Sequence, residues 1–230
     1  ASIGYLTQFI LSLAITGYLV QRCLSKRETQ STQTVLLTCL FAASTLFIGL
    51  LLLDAVLLPA PRLYIVYLEN TVLGVVLVLL LQFAYRFPAL FPQRKGESYV
   101  ALGLSLLYTL YEALFAVYRF SLLLGQGTVD YRFLEADYAL AVLFVWAPVV
   151  FLRQTIFADE RPVHWLRKLW KPQGLEARGA HSFALVFILL LALSVINILE
   201  GFSFIPTTIF SASLSLGILV AIWLFARAYL

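Results

Sequence analysis

Seven apolar stretches, at residues 3–24, 34–58, 63–84, 99–124, 138–152, 183–199 and 207–230, divide the chain into a ladder that constrains every other reading of it. Most of them reach or approach the roughly 20 residues that a helix rising about 1.5 Å per residue needs to cross a hydrocarbon core of about 30 Å. The stretch at 138–152 is the weakest. Hydrophobic residues make up 62% of the chain and charged residues 12%, about half the share usual in soluble domains, so little sequence is left for a water-soluble domain. The pattern predicts an all-α, polytopic membrane protein, a single seven-helix bundle over residues 1–230. The first stretch has no basic leader and no small-residue cleavage site, and reads as a true span.

The loops between the stretches are electrically lopsided. Arg22, Lys26, Arg27, Arg86, Arg94, Lys95, Arg153, Arg161, Arg167, Lys168, Lys171, Arg178 and Arg227 fall on one side of the ladder; Arg62, Arg119 and Arg132 fall on the other. Basic loops stay in the cytoplasm, which predicts an outer N-terminus, an inner C-terminus and a plasma-membrane location. The net charge of +4 is accounted for by inner loops facing anionic lipid, and calls for no nucleic acid. Cys23 and Cys39 then lie at cytoplasmic helix ends, where reducing conditions argue against a disulfide and both read as buried small hydrophobes.

Punctuation falls between the stretches. Pro59, Ala60, Pro61 and Arg62 read as a tight outer turn that stops one helix before the next begins. Residues 125–137 form the one outer connection long enough to act as a lid. In the large inner loop at 153–182, Trp165, Leu166, Leu169 and Trp170 recur at helical spacing among Arg167, Lys168 and Lys171, which predicts an interfacial amphipathic helix within 158–180; a plain Trp-anchored loop is the alternative. Pro148 would kink the fifth helix beside Trp146.

Ionisable groups inside spans are costly, so they carry the functional argument. Asp54, Glu69, Asn70, Glu112 and Arg119 all fall in or near the outer halves of their helices. Tyr108, Glu112 and Arg119 share one face of the fourth helix, with Tyr111 and Tyr118 on the neighbouring face. Asn197 and Glu200 end the sixth helix at i, i+3 spacing, and the seventh begins with Thr208, Ser211 and Ser215 along one side. The inner segments 72–81, 101–107 and 183–193 carry scarcely a polar group. This asymmetry predicts a polar cavity open to the outside and sealed within, formed by Asp54, Glu69, Asn70, Tyr108, Tyr111, Glu112, Arg119, Asn197, Glu200 and Ser211. Arg119 suits an anionic ligand and the surplus of acids a cationic or polyol one. The competing reading makes these groups a structural polar network.

Catalysis finds little support. His164 and His181 both fall in the inner loop, leaving no buried imidazole as base or ligand, and neither a metal-ligand cluster nor a phosphate-cradling glycine loop occurs. A retinal Schiff base needs a lysine within the membrane, whereas Lys26, Lys95, Lys168 and Lys171 are all in inner loops. No enzyme activity, metal or cofactor is expected of this chain.

After the third stretch the chain reads Phe83, Ala84, Tyr85, Arg86, Phe87, Pro88, then a basic loop. This turn, within a seven-span layout, resembles the junction of third and fourth helices in the seven-helix N-terminal sensor regions of bacterial signalling proteins, which are joined to histidine kinase, cyclase or phosphatase modules. The resemblance implies a receptor domain for a small molecule or lipid, a homodimer, and an output module following residue 230. A secondary transporter or channel for a small polar solute, and a pigment- or lipid-binding accessory subunit, are the alternatives. The sparse polar groups of the inner halves, Thr16 and Gln82 among them, argue against a transport path.

Overall fold

Apolar runs of this length can satisfy their backbone in lipid only by closing hydrogen bonds within each segment, and helices are what the chain forms. The structure, a computed structural model, describes residues 2–25, 32–57, 59–124 and 134–201, with 204, 206, 209, 213, 216, 217 and 220. Its helices include α1 (Ser2–Ser25), α2 (Thr32–Val56), α3 (Pro59–Arg86), α4 (Lys95–Leu124), α5 (Leu134–Ala158), the short α6 (Trp165–Trp170) and α7 (Leu175–Gly201), with a 3-10 turn at Pro92–Arg94 before α4. No strand occurs among the described residues.

Among the described residues, five segments are long and apolar enough to cross a membrane: Thr32–Val56, Ile65–Arg86, Pro92–Leu122, Tyr138–Ala158 and Leu175–Leu193. The expected first span is helical as α1 but is not among these five. The expected seventh, 207–230, lies almost wholly outside the described residues.

Helix ends depart from the hydropathy reading in three places. Pro59 and Pro61 do not form a separate turn but open α3, because the first helical turn leaves its amides without intrahelical acceptors and a proline there loses nothing. The fifth helix runs 25 residues, through Arg153, Gln154 and Thr155, with Pro148 inside it. Those polar residues look like loop in the sequence, yet Gln154 and Thr155 are fully buried, and Thr155 Oγ1 donates to the Phe151 carbonyl at 2.9 Å. At the other end of the loop α7 begins at Leu175, so His181 sits half-buried inside a helix rather than in the loop.

The chain divides into two compact units, Ala1–Arg86 with Phe91–Ala141, and Phe87–Leu90 with Val142–Leu230. In the first, α1 packs on α2, α2 on α3 and α3 on α4. A hydroxyl seam joins the first pair: Thr45 Oγ1 lies 2.7 Å from Ser12 Oγ and 2.8 Å from Thr16 Oγ1, while Cys23 Sγ lies 3.2 Å from Thr38 Oγ1. Cys23 is half-buried and Cys39 is exposed, which corrects the expectation of two buried thiols. In the second unit Phe151 stacks on Phe183 and Phe187, and Phe87 meets Phe183 edge-on.

On α4 much of the polarity is turned inwards, unlike a helix on the surface of a water-soluble domain. On α4, Leu104, Leu107, Leu110, Leu114 and Val117 are exposed, whereas Ser98, Ser105, Glu112 and Arg119 are buried. A surface of leucine over a core that holds an acid and a guanidinium suits hydrocarbon as its solvent.

Candidate functional site

The buried face of α4 follows a strict three-and-four spacing: Ser98, Ala101, Ser105, Tyr108, Glu112, Ala116 and Arg119 are all buried. A helix held on one face by neighbours buries such a stripe, and here the stripe is largely polar. Tyr108, Glu112 and Arg119 therefore share one face, as their spacing predicts.

Opposite them, α3 contributes Tyr67. Its ring meets Phe115 and Phe120 edge-on, each at 6.2 Å between centroids. The Arg119 guanidinium lies 4.9 Å from the Phe115 centroid and 5.9 Å from that of Tyr67. Rings flanking a guanidinium stabilise its charge through their negative faces while leaving in-plane N–H donors able to reach a carboxylate or phosphate. The result is an aromatic frame around the buried cation of this helix pair. Tyr67, Phe115 and Phe120 were missed as site residues by sequence reasoning. Phe115, four residues before Arg119, carried a signal in that spacing, but nothing in the sequence marks Tyr67 among 12 tyrosines.

The remaining predicted site residues are distributed as follows. Glu69 and Asn70 are half-buried on α3, and Asp54 is half-buried on α2. Asp54, Glu69, Tyr108, Tyr111, Glu112 and Arg119 are each engaged with a neighbour. Tyr111 is 37% exposed and stacks on the outer side of Phe115, at 6.0 Å and 11°, so it buttresses the frame instead of lining the buried face. The side chains of Asn197 and Glu200, and the whole of Ser211, lie outside the described residues. Among the described residues no group of three His, Cys, Asp or Glu side chains is placed to hold a metal ion.

α3 and α4 approach closely at Gly74, where a Cβ would stand 2.8 Å from Thr109 Oγ1. Beyond that point, towards the basic loops, a second polar cluster follows the apolar run of α3. Gln82 Nε2 donates to the Ser98 carbonyl at 3.2 Å, and Ser98 Oγ donates back to Gln82 Oε1 at 3.4 Å. Tyr85, fully buried, donates its hydroxyl to Glu97 Oε1 at 2.8 Å, and Arg94 Nη1 lies 3.9 Å from Glu97 Oε2. Gln33 of α2 donates to the Arg86 carbonyl at the end of α3, 3.0 Å away. Gln82, alone in a run of leucines, was the one sequence signal for this cluster. Its groups are largely satisfied by each other and by backbone, which makes it a clamp on the α3–α4 turn.

In the second unit, Asp159 organises the connection between α5 and α7. It accepts hydrogen bonds from Arg161 Nε at 2.8 Å, Arg161 Nη2 at 2.6 Å and the Gln173 amide at 3.1 Å. The Arg161 guanidinium holds the Asp159 carboxyl well below the usual carboxylate range against the opposing effect of burial, and is itself raised by that carboxylate.

Comparison with family models, with curated proteins and with solved structures finds no match to this chain.

Proposed function

We propose that the chain is a non-enzymatic transmembrane sensory domain of a plasma-membrane receptor, which binds a small molecule or lipid on its outer side and passes the signal to a cytoplasmic output module. The observation that carries this reading is the buried Tyr108–Glu112–Arg119 face with the Arg119 guanidinium beside the rings of Phe115 and Tyr67. Burying a guanidinium and a carboxylate in so apolar a chain is costly, and a ligand-binding role supplies a reason to retain them. Arg119 as a planar, ring-supported cation favours a carboxylate-bearing ligand, with Glu69 and Asn70 of α3 as further polar contacts. The turn from Phe83 to Pro88 and the lopsided loop charge support the receptor reading with its outer N-terminus.

Thermal stabilisation of the detergent-purified chain by a library of small carboxylates, amines and polyols tests it. Stabilising compounds should lose their effect in Arg119→Ala and in Glu69→Ala. If every stabilising compound acts equally on both variants and the unsubstituted chain, the site is elsewhere.

One observation favours a second reading, a secondary transporter. The buried polar positions of α4 do not stop at mid-helix: Ser105 and Ser98 continue the column of Glu112 and Arg119 towards the basic end. Solute uptake into liposomes that depends on Glu112 would replace the receptor reading.

A further inference from the structure

The connection between α5 and α7 contains a helix whose faces are reversed. On α6, Trp165, Leu166, Leu169 and Trp170 occupy one arc and Arg167, Lys168 and the following Lys171 the other. On a soluble protein the apolar arc would pack inwards. Here Trp170 is 83% exposed, and Trp165, Leu166 and the nearby Leu175 are also exposed.

The basic arc explains the orientation. Lys168 Nζ donates to the Asp159 carbonyl at 2.6 Å and reaches the Ile156 carbonyl at 3.4 Å, at the end of α5, where a cation also complements the helix dipole. Arg161, gripped by Asp159, donates to the Lys171 carbonyl at 2.7 Å. Gly174, at φ +88°, makes the turn into α7 in a conformation that favours glycine. Two cations are thus spent on fixing α6 with its aromatic side outwards, while Arg167, Lys171 and Arg178 stay exposed at the surface. The segment joins the end of one membrane-length helix to the start of another, so it stands at the membrane face by topology.

We propose that α6 is a lipid-binding platform: Trp165, Leu166 and Trp170 enter the headgroup layer, and Arg167 and Lys171 collect anionic lipid headgroups beside them. Indole rings favour this depth, and basic side chains next to it are drawn to anionic lipid. The inference rests on α5 and α7 crossing the membrane and is independent of the ligand proposed for α3 and α4.

The test uses the full chain reconstituted in vesicles of phosphatidylcholine with and without phosphatidylglycerol. Of the four tryptophans, a Trp146→Phe, Trp223→Phe variant keeps Trp165 and Trp170. Lipids brominated near the headgroup should quench their emission more than lipids brominated deep in the chain. Preference for spin-labelled phosphatidylglycerol over phosphatidylcholine should fall about fivefold for each of Arg167→Gln and Lys171→Gln, the contribution of one cation at an anionic surface. Quenching by aqueous iodide and by neither lipid would make the segment a solvated loop. Shielding from all quenchers would mean that protein covers it, and an unchanged lipid preference would remove the anionic site; each overturns the proposal. A companion variant keeping Trp146 alone reports on α5, which should be quenched by the deep label. Its failure would overturn membrane insertion itself.

Discussion

Gly74 of α3 lies so close to Thr109 of α4 that a Cβ on the glycine would stand 2.8 Å from Thr109 Oγ1 and 3.1 Å from its Cα. Small residues let membrane helices approach in this way, since lipid supplies no hydrophobic drive between them. The Thr109 hydroxyl is already committed to the Ser105 carbonyl at 2.8 Å, and its Cα cannot move without α4. Gly74→Ala should therefore destabilise the chain by about 1–3 kcal/mol, read as a lower thermal midpoint in detergent. Adding Thr109→Ala should restore only part of the loss, because the backbone contact persists.

Asp159 is 2% exposed and meets Arg161 through two charge-assisted hydrogen bonds. Asp159→Asn keeps the shape and removes the charge, so the midpoint should fall by about 2–4 °C for each kcal/mol lost. The pH dependence has a definite sign. A carboxyl whose folded pKa is depressed stabilises fully above its unfolded value, near 3.9, and that contribution is lost as pH falls below it. The gap between Asp159→Asn and the unsubstituted chain should be constant from pH 5 to 8 and should narrow as the pH is taken below about 4. A gap that widens in acid would contradict the assignment.

How far the fold could be read in advance depends on where its information lies. The centres of α2, α4 and α7 follow from hydropathy, and the Tyr108–Glu112–Arg119 face follows from helical spacing, because both are local properties. The end of α5 was hidden because Gln154 and Thr155 are buried by tertiary packing that a hydropathy window cannot see. Tyr67 was hidden for the same reason, since its importance arises only when α3 sets it beside Phe115 and Arg119. The pairing of Gln82 with Ser98 was hidden as well, since it forms only when α3 and α4 set the two side by side.

The clamp at the α3–α4 turn should be worth measurable stability. Tyr85→Phe removes one hydroxyl that donates to Glu97 at 2.8 Å and leaves the buried ring in place. The expected cost is about 1 kcal/mol, whereas Tyr85→Ala, which also empties a fully buried site, should cost about 3–5 kcal/mol. Equal losses in the two variants would show that the ring contributes nothing beyond its hydroxyl.

The frame around Arg119 makes a prediction about coupling. Phe115 is the nearer ring and Tyr67 the farther, and Tyr67 also braces Phe115 edge-on. A cation over an aromatic face away from water is worth about 2 kcal/mol. Phe115→Leu should thus be more damaging in the unsubstituted chain than in Arg119→Ala, with a coupling of about 0.5–2 kcal/mol in a double-mutant cycle of thermal or denaturant unfolding. Tyr67→Leu should couple to Arg119 more weakly, because its ring is an ångström farther from the guanidinium. Arg119→Lys separates charge from shape: a lysine keeps a cation near the rings but loses the planar fork that could grip a carboxylate. It should keep more of the stability than Arg119→Ala while losing stabilisation by carboxylate ligands. Strict additivity of Phe115→Leu and Arg119→Ala would show that the rings pack beside the guanidinium without holding it, and would leave Arg119 without its frame as a recognition group.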